Sequence, residues 1–493
     1  MQFGHGTWDL RSLKYARKGT SSWPRTGQKN LRKRKMRNAI TTIQAVILIV
    51  VVVAVTALGT YAYMASQPKA PEIRTVRFLS TEFVDPFARN FMTAAVAQFN
   101  DEHPGVKVRL ENVAWEDVIT ILQSGIEAGN PPDLIFTDLY SGILYARDQL
   151  LPVNDILDKL GRDEFYPGLL VTDSKGDDYL VPIQNEPMAL YFRKDWFDEL
   201  GIAYPMKTWN DLLQAAKKLT QDLNGDGTID RWGIALPLSK EYKTAEDIWT
   251  LLQQSGQVLS DDSKTVMIDS PGVREAFKFW KELAQYCDPA AINWAWGDVR
   301  NAFKIEKAAM HFYQGRTLVE IWKNYPQLLD KIGIQIVPAL KAEDYPDKVR
   351  PYTFSEGYMI VKQSKVTDIS KEFILWFCSN RDMWREYMLQ GVPYHELPTT
   401  KWLTNDPKFL DHPLYKLRPD LIQALLQTSA QSLHGDRELA NPSVVKPIIG
   451  EIMARPIISV ALQNYIFTDA TLDSVMSSLV SDIDKVLVEA KLK

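Results

Sequence analysis

The sequence has few of the residues that metal clusters and covalent frameworks require. Its 493 residues include two cysteines, Cys287 and Cys378. This number excludes a disulfide scaffold, a cysteine-rich zinc array and an iron–sulfur cluster, and it leaves one bridge or none. The six histidines are scattered without metal-ligand spacing. No P-loop, Gly-x-Ser-x-Gly elbow, His-Glu-x-x-His helix or dinucleotide-binding glycine pattern occurs. Paired carboxylates for glycoside hydrolysis stay open, because their spacing is spatial rather than sequential.

The charge is distributed unevenly along the chain. The net charge is −4, but residues 1–38 carry eleven basic residues and one acid, Asp9, for a net charge of +10, so the remainder carries −14. Charged residues make up 24% of the chain and apolar residues 45%, which is ordinary for a folded globular protein. A mildly acidic body does not suggest nucleic acid as a partner.

A segment without any charged residue extends from residue 38 to residue 68. A helix over residues 43–64 would be about 33 Å long, enough to cross a bilayer. The basic run from Arg32 to Arg37 precedes it directly, and the positive-inside rule then places residues 1–38 in the cytoplasm and the body outside the cell. We predict a basic cytoplasmic leader over 1–38, a single transmembrane anchor over 39–65 and a linker over 66–72. A cleaved secretory signal is the alternative, which the length of the apolar run disfavours.

The rest of the chain alternates between strand-like and helix-like stretches, which predicts an α/β architecture. Strands are predicted at 73–79, 106–110, 133–137, 308–312 and 332–337. Helices are predicted at 86–100, 115–127, 195–200, 208–220, 271–286, 299–305, 371–378, 382–389 and 470–491. The apolar run at 133–137 is typical of a parallel strand buried on both faces.

One loop has the spacing of a calcium site. Residues 222–230 place oxygen-bearing side chains at alternate positions, namely Asp222, Asn224, Asp226, Thr228 and Asp230. Gly227 at the sixth position permits a sharp turn. The twelfth position is Gly233, so the bidentate glutamate of an EF-hand is missing. We predict a structural Ca²⁺ site; the alternative is a solvated polar turn between the helix at 208–220 and a strand at 232–236.

An ordered series of segments resembles the family 1 extracellular solute-binding proteins of ABC importers, the group that includes the maltose-binding protein. The segments are Ala114-Trp-Glu-Asp-Val with Gly129-Asn-Pro-Pro-Asp-Leu-Ile-Phe, Leu190-Tyr-Phe-Arg-Lys-Asp-Trp-Phe-Asp-Glu-Leu-Gly201, Thr208-Trp-Asn-Asp-Leu-Leu, Ala302-Phe-Lys-Ile-Glu-Lys-Ala-Ala-Met310 and Gly357-Tyr-Met-Ile-Val. Glu306 stands where the family usually has glycine. Each motif is weak alone, but together they cover nearly all of residues 73–493.

The resemblance implies a two-lobed α/β fold that closes on a small molecule about an interlobe hinge. Lobe 1 would comprise residues 73–186 and 357–407, and lobe 2 residues 187–356 and 408–493. It implies a binding protein rather than an enzyme, with a separate ABC permease as its membrane partner. The chain departs from many relatives in keeping a membrane span instead of a lipidated cysteine or a cleaved signal.

Candidate ligand contacts follow the ends of the predicted strands and the expected lobe crossings, where ligands of open sheets bind. A sugar offers hydroxyl edges and apolar C–H faces, so carboxylates, amides and aromatic rings are the side chains to expect. The candidates are Thr81, Glu82, Asp138, Asn185, Glu186, Trp294, Trp296, Gln314, Arg316 and Glu356, with Ser80, Tyr313 and Phe354 beside them. If Glu82, Asp138 and Glu186 all face the ligand, a neutral polyol or a cation is favoured over an anion.

The sequence thus predicts a membrane-anchored receptor that captures a small solute, a mono- or oligosaccharide above all, for an ABC importer. It predicts no catalytic cofactor. An anchored sensory ectodomain and a glycoside-active exo-enzyme are the alternatives. A cytoplasmic segment of 38 residues is too short for a kinase, so sensing would require a further protein.

Overall fold

The computed structural model describes residues 31–66, 73–81, 86–114, 117–137, 141–390, 393–438, 445–446 and 448–490. Contacts between residues divide the chain into two units, 1–72 and 73–493.

The first unit contains one long helix, α1 (Leu31–Ser66). Its apolar stretch, Thr41–Met64, has a mean hydropathy of 2.6 in its most apolar window, and no residue of that window is buried. At 1.5 Å per residue these 24 residues extend about 36 Å, enough to cross a bilayer. The predicted helix is confirmed. A signal sequence has the same features, so its topology stays a prediction.

The described residues of the second unit form two sheets. The strands are β1 (Arg74–Ser80), β2 (Val106–Asn112), β3 (Leu134–Thr137), β4 (Val181–Pro187), β5 (Ala189–Arg193), β6 (Met310–Tyr313), β7 (Ile332–Ile336), β8 (Tyr352–Ile360), β9 (Leu397–Pro398) and β10 (Leu433–His434). Among the described residues, one sheet has the order β2-β1-β3-β8-β4-β9, with β10 on β8, and the other has the order β6-β5-β7. We call them the large sheet and the small sheet.

Helices cover both sheets. Their bounds are α2 (Pro86–Glu102), α3 (Val118–Glu127), α4 (Ser141–Ala146), α5 (Asn154–Leu160), α6 (Lys194–Leu200), α7 (Trp209–Leu219), α8 (Tyr242–Ser255), α9 (Pro271–Ala284), α10 (Trp296–Lys304), α11 (Arg316–Asn324), α12 (Thr367–Ser379), α13 (Arg381–Gln390), α14 (Lys401–Thr404), α15 (Pro407–Leu410), α16 (Pro413–Leu417), α17 (Pro419–Gln431), α18 (Ile448–Ala454), α19 (Ile457–Phe467) and α20 (Leu472–Glu489).

The large sheet is buried on both faces. Strand β1 pairs in parallel with β2 and with β3, whereas β8 runs antiparallel to β3 and β4. Successive residues of β3 face different cores: Leu134 and Phe136 pack with Phe78 in one, and Ile135 packs with Leu79 in another. This confirms the prediction of a strand covered on both sides.

The small sheet separates two cores in the same way. Ala189 and Tyr191 of β5 belong to the core that contains Phe78, and Leu190 and Phe192 face a different core. One hydrophobic core therefore extends from the large sheet to the small sheet. Because residues 73–493 form one compact unit by contacts, the lobe boundaries stay a prediction.

Local sequence signals set individual helix ends. The Thr208 hydroxyl accepts from the Asp211 amide at 3.1 Å, and the Asp211 carboxylate accepts from the Thr208 amide at 2.9 Å. This capping box starts α7 where the sequence predicts a threonine cap.

The two cysteines are free and buried in different cores. Cys378 packs beside Phe377 in the core that joins the sheets, and Cys287 lies in the second core of the small sheet. The sequence left open one bridge or none, and the structure shows both thiols free.

Candidate ligand-binding site

The two sheets meet where the chain passes from β4 to β5. Met188 alone separates these strands, and its amide donates to the Tyr352 carbonyl at 2.9 Å, at the start of β8. Buried polar side chains line this junction, among them Asn185 on β4 and Ser355 on β8. The link from β4 to β5 and the start of β8 therefore lie side by side where the two sheets meet. We call this buried junction, with its polar side chains, the seam.

The first charged group at the seam, the Glu186 cluster, joins Glu186 at the end of β4, Arg316 at the start of α11, and His395 and Glu396 before β9. His395 Nε2 lies 3.1 Å from a Glu186 oxygen and 3.3 Å from a Glu396 oxygen. Arg316 Nε donates to the same nitrogen at 3.1 Å. The oxygens of both carboxylates and the ring nitrogen lie within 4.8 Å of one another.

Ionisation in this cluster follows from burial and from its charges. Burial alone would raise the pKa of Glu186, but close contact with His395 and Arg316 lowers it to about 2. Burial lowers the pKa of His395, although Glu186 acts in the opposite direction. Glu186 is therefore an anion near pH 7.

Glycine is required where α11 meets the loop before β9. A Cβ atom on Gly315 would lie 1.7 Å from the Tyr394 carbonyl oxygen and 2.9 Å from the His395 Cα. Both neighbours are backbone atoms, which no rotamer change can move. Gly315 thus permits the approach that places Arg316 against His395.

The second charged group, the Lys243 cluster, comes from the first turns of α8 and the end of β6. Lys243 Nζ lies 2.7 Å from an Asp247 oxygen and 3.5 Å from a Glu246 oxygen, and all three side chains are inaccessible to solvent. Gln314 Nε2 donates to the other Glu246 oxygen at 2.5 Å.

Aromatic rings cover the ammonium group of this cluster. Lys243 Nζ lies 4.4 Å from the centre of the Tyr313 ring and 4.8 Å from that of Trp296. The two rings meet edge to face at 6.1 Å. The hydroxyl of Tyr313 accepts from Arg300 at 2.8 Å. Trp296 and Tyr313 therefore form an aromatic corner that stabilises a cation.

The two clusters act on each other electrically. Burial is the main cause that raises the pKa of Glu246, to about 8; Lys243 opposes the rise, while Asp247 and Glu186 add to it. Burial also raises the pKa of Asp247 to about 6, again against Lys243.

Several buried polar atoms at the seam make no hydrogen bond within the described residues. They are Glu246 Oε2, Gln314 Oε1, Asn185 Nδ2, Thr317 Oγ1 and Ser355 Oγ. An unsatisfied buried polar group costs roughly 1–3 kcal/mol, so such a concentration at one place points to a ligand-binding surface.

The structure brings many of the predicted site residues to this seam. Glu186, Gln314 and Arg316 join the two clusters, and the Trp296 ring covers Lys243. Asn185 accepts from the Ser429 hydroxyl at 3.0 Å, and Glu356, buried on β8, accepts from Gln184.

The remaining predicted residues are less informative. The hydroxyl of Thr81, just after β1, donates to that of Thr137, the last residue of β3, at 3.0 Å. Trp294 is half-buried and packs against both cores of the small sheet. Glu82 and Asp138 lie outside the described residues. That any of these side chains contacts ligand stays a prediction.

Sequence reasoning missed five titratable residues of the site or of its surroundings, namely Lys243, Glu246, Asp247, His395 and Glu396. The spacing of Lys243, Glu246 and Asp247 is a signal that could have been used, because residues three and four apart share one face of a helix. His395 and Glu396 are separated from Glu186 by about 200 residues of sequence, and no local pattern connects them.

The predicted calcium loop is closed by its own backbone. Asp222 accepts from the amides of Gly225 at 2.7 Å and Gly227 at 2.8 Å, and Asp226 accepts from that of Thr228 at 2.8 Å. These hydrogen bonds lower the pKa of both carboxyl groups. Residues 232–236 form two isolated parallel bridges, Trp232 with Ala308 and Ala235 with His311, so the continuous strand predicted there is wrong. The Ca²⁺ ion itself stays a prediction.

A broad surface depression lies elsewhere, between α5 and α12. It measures about 820 Å³ and is wide open to solvent. Two of its charged side chains are already paired, Asp368 with Arg74 and Lys371 with Asp155. The buried seam is the better candidate, because several of its buried polar atoms make no hydrogen bond within the described residues.

Residues 86–384 match the family model described as bacterial extracellular solute-binding protein. The chain belongs to this family. This confirms the resemblance drawn from the sequence motifs.

Individual relatives are distant. The arabinooligosaccharide-binding protein of Halalkalibacterium halodurans is 23% identical over 300 residues, which are 57% of this chain and 63% of that protein. The chain covers 63–65% of the length of such curated relatives. A solute-binding protein of Agrobacterium radiobacter K84 in complex with ribitol has a TM-score of 0.64 and 20% identity, over 85% of this chain and all of that one. The sugar-binding protein MalE of Xanthomonas citri has a TM-score of 0.66 and 18% identity, over 85% of this chain and 98% of that one. The predicted two-lobed α/β fold is confirmed.

Proposed function

We propose that this chain captures a mono- or oligosaccharide, or a related polyol, outside the cell and delivers it unchanged to an ABC importer. The observation that carries the proposal is the composition of the seam between the sheets. Buried carboxylates and amides lie there beside the rings of Trp296 and Tyr313, which suits the hydroxyl edges and apolar faces of a sugar. The arabinooligosaccharide, ribitol and MalE names of the relatives support the same ligand class.

The proposal requires capture and release without any change in covalent bonds. The seam suits that task, because the single residue Met188 joins β4 to β5 and leaves few dihedral angles between the sheets. Hinges of this kind absorb closure in a few residues.

We further propose that α1 is retained as a membrane anchor, with the permease as the partner of the outer unit. The basic residues before Thr41 and the apolar stretch after it support this topology. A tether holds the receptor near its permease at a high effective concentration.

The ligand test is a thermal-shift screen of the full chain in mild detergent against pentoses, hexoses, polyols and their oligomers. A ligand that binds the folded state at 100 times its Kd stabilises it by about 2.7 kcal/mol. Trp296→Ala should abolish the shift, whereas Trp376→Ala, at a half-buried ring on α12 outside the seam, should retain it. No shift with any saccharide or polyol would refute the proposal, and so would chromatographic detection of ligand conversion.

The anchor test uses cells that express the full chain. An anchored protein stays with membranes after carbonate washing and keeps residues 1–66 by mass spectrometry. A mature amino terminus within or just after the apolar stretch would show that it is a cleaved signal instead.

A further inference from the structure

A small pocket lies apart from the seam, where the end of α5 meets the starts of α13 and α14. Lys159, Arg381 and Thr400 line it from these three helix ends, and we call it the Thr400 pocket. None of the described residues of the Glu186 and Lys243 clusters lines it. Its volume is about 190 Å³. An apolar cavity of roughly 150 Å³ already holds a benzene molecule, so the Thr400 pocket has room for one ring and a small headgroup.

Aromatic side chains form the inner wall of the Thr400 pocket. Phe165 and Trp384 are each 1% exposed, and their ring centres lie 6.2 Å apart. Trp402 meets Trp384 edge to face at 5.6 Å. The indole nitrogen of Trp384 donates to the Ile183 carbonyl on β4 at 3.1 Å, which fixes the ring against the large sheet. This wall is preformed and suits the apolar body of a ligand.

The hydroxyl of Thr400 lines the pocket without a partner. Thr400 is inaccessible to solvent and directly precedes α14, a position where a threonine hydroxyl usually accepts from an amide of the first helical turn. It makes no such bond, and its Oγ1 has no hydrogen-bond partner within the described residues. Only the Thr400 backbone is engaged, since its carbonyl accepts from the Thr404 amide at 3.1 Å. A buried hydroxyl without a partner is costly, so this side chain requires a partner that enters the pocket.

Two cations stand at the mouth of the pocket. Lys159 and Arg381 are exposed, and neither forms an ion pair with an acid in the part of the chain that the structure describes. The guanidinium carbon of Arg381 lies 4.9 Å from the centre of the Trp402 ring, and this contact orients the group. Both cations are therefore available to an anion.

No acidic side chain of the described residues lines the pocket. The acids adjacent to the two cations in sequence are paired with other residues. Asp158 contacts Arg162 at 3.3 Å, and Asp382 contacts Lys408 at 3.3 Å. The lining thus offers an ammonium group, a guanidinium group and a hydroxyl, which are all hydrogen-bond donors. The oxygen atoms of a carboxylate or phosphate are the acceptors that such donors recognise.

We propose that the Thr400 pocket binds a small organic anion, namely a carboxylate or phosphate group on a body no larger than one ring. Lys159 and Arg381 pair with the headgroup, the aromatic wall contacts the body, and the Thr400 hydroxyl donates to a ligand oxygen. The ligand enters from the broad depression between α5 and α12, with which the pocket shares Lys159. This second site is separate from the seam, so it goes beyond the proposed function and does not depend on it.

The test measures the binding of three ring compounds to the full chain in mild detergent, by isothermal titration calorimetry at pH 7. Benzoate and phenyl phosphate carry the two anionic headgroups on the same ring, and benzamide is the neutral counterpart of benzoate. We expect at least one of the two anions to bind at least tenfold more tightly than benzamide. Inorganic phosphate alone should bind at least tenfold more weakly than the tighter anion, because it has no apolar body.

Substitutions of the two cations locate the binding. Arg381→Gln and Lys159→Gln should each weaken anion binding at least fivefold. Both side chains are exposed, so these variants should fold. Lys217→Gln, at an exposed lysine on α7, is the matched control and should leave the affinity unchanged.

Substitutions of Thr400 separate a ligand contact from a structural role. Thr400→Val removes a hydroxyl that has no partner, so it should weaken anion binding at least fivefold without lowering the melting temperature. Thr400→Ser keeps the hydroxyl and should retain binding. A lower melting temperature of Thr400→Val with unchanged affinity would give the hydroxyl a purely structural role and would overturn the proposed contact.

Three further results would overturn the proposal. They are equal affinity for benzamide and the anions, anion binding that survives Arg381→Gln, Lys159→Gln and Thr400→Val, and no binding of any probe at millimolar concentration. Inorganic phosphate that binds as tightly as phenyl phosphate would overturn the organic ligand class. Each of these results leaves the proposed function of the seam intact.

Discussion

Replacing Glu246 by glutamine should stabilise the protein, although it removes a charged group from a cluster with Lys243. Glu246 is fully buried, and burial is the main cause that raises its pKa to about 8. Its ordinary value is 4.5. Between these two values the carboxyl must take up a proton on folding.

The sign and size of the expected stabilisation follow from the difference between these two pKa values. Below pH 4.5 the Glu246 carboxyl is protonated in the folded and the unfolded chain, and its contribution to the free energy of unfolding is fully present. As pH rises toward 8, the contribution is lost at about 1.4 kcal/mol per pH unit, or about 3 kcal/mol by pH 7. Glutamine has no proton to gain, and its carbonyl oxygen still accepts from Gln314. We therefore expect Glu246→Gln to be more stable by about 3 kcal/mol at pH 7 and by almost nothing at pH 4.5.

Melting temperatures of the full chain at pH 4.5, 5, 6, 7 and 8 measure the effect. For a unit of this size, about 3 kcal/mol corresponds to a rise of roughly 3 °C. The exposed control Glu282→Gln should show no trend with pH. A stabilisation that is equal at every pH, or a destabilisation at pH 7, would refute the reasoning.

Three further predictions follow. Gly315→Ala should lower stability by about 1–3 kcal/mol and weaken ligand binding, since its Cβ meets the backbone of Tyr394; a lower melting temperature with unchanged affinity would contradict the link to the site. Thr208→Ala should lower stability by about 1 kcal/mol through loss of the α7 cap and leave affinity unchanged, and a changed affinity would contradict a purely structural role. If the loop at 222–230 binds Ca²⁺, EDTA should lower the melting temperature of the protein but not that of Asp222→Asn, and an unchanged curve in both would reject the ion.

Much of the fold could be predicted because local periodicity and burial agree in it. The strand at 133–137 consists of apolar residues, and it is buried on both faces as predicted. Thr208 stands just before an apolar period of 3.6, and the helix begins there. In such segments the local preference and the tertiary position require the same residues.

Helix α8 shows where prediction from local periodicity fails. Eleven of its residues are buried, including Lys243, Glu246 and Asp247. Polar residues on a buried face erase the contrast between apolar and polar positions on which periodicity depends. The charges are buried because they face one another and the seam, which only the tertiary structure reveals. The His395 contact with Glu186 is hidden for a similar reason, since it joins distant parts of the chain.

The positions of the two cysteines have a practical consequence. Each thiol is shielded within a separate core, one between the sheets and one on the far side of β5. Burial raises the pKa of both, so neither reacts until its surroundings open. The rate at which a thiol reagent modifies each cysteine would therefore report how often the core around it opens. A bound solute that stabilises the closed conformation should slow both rates.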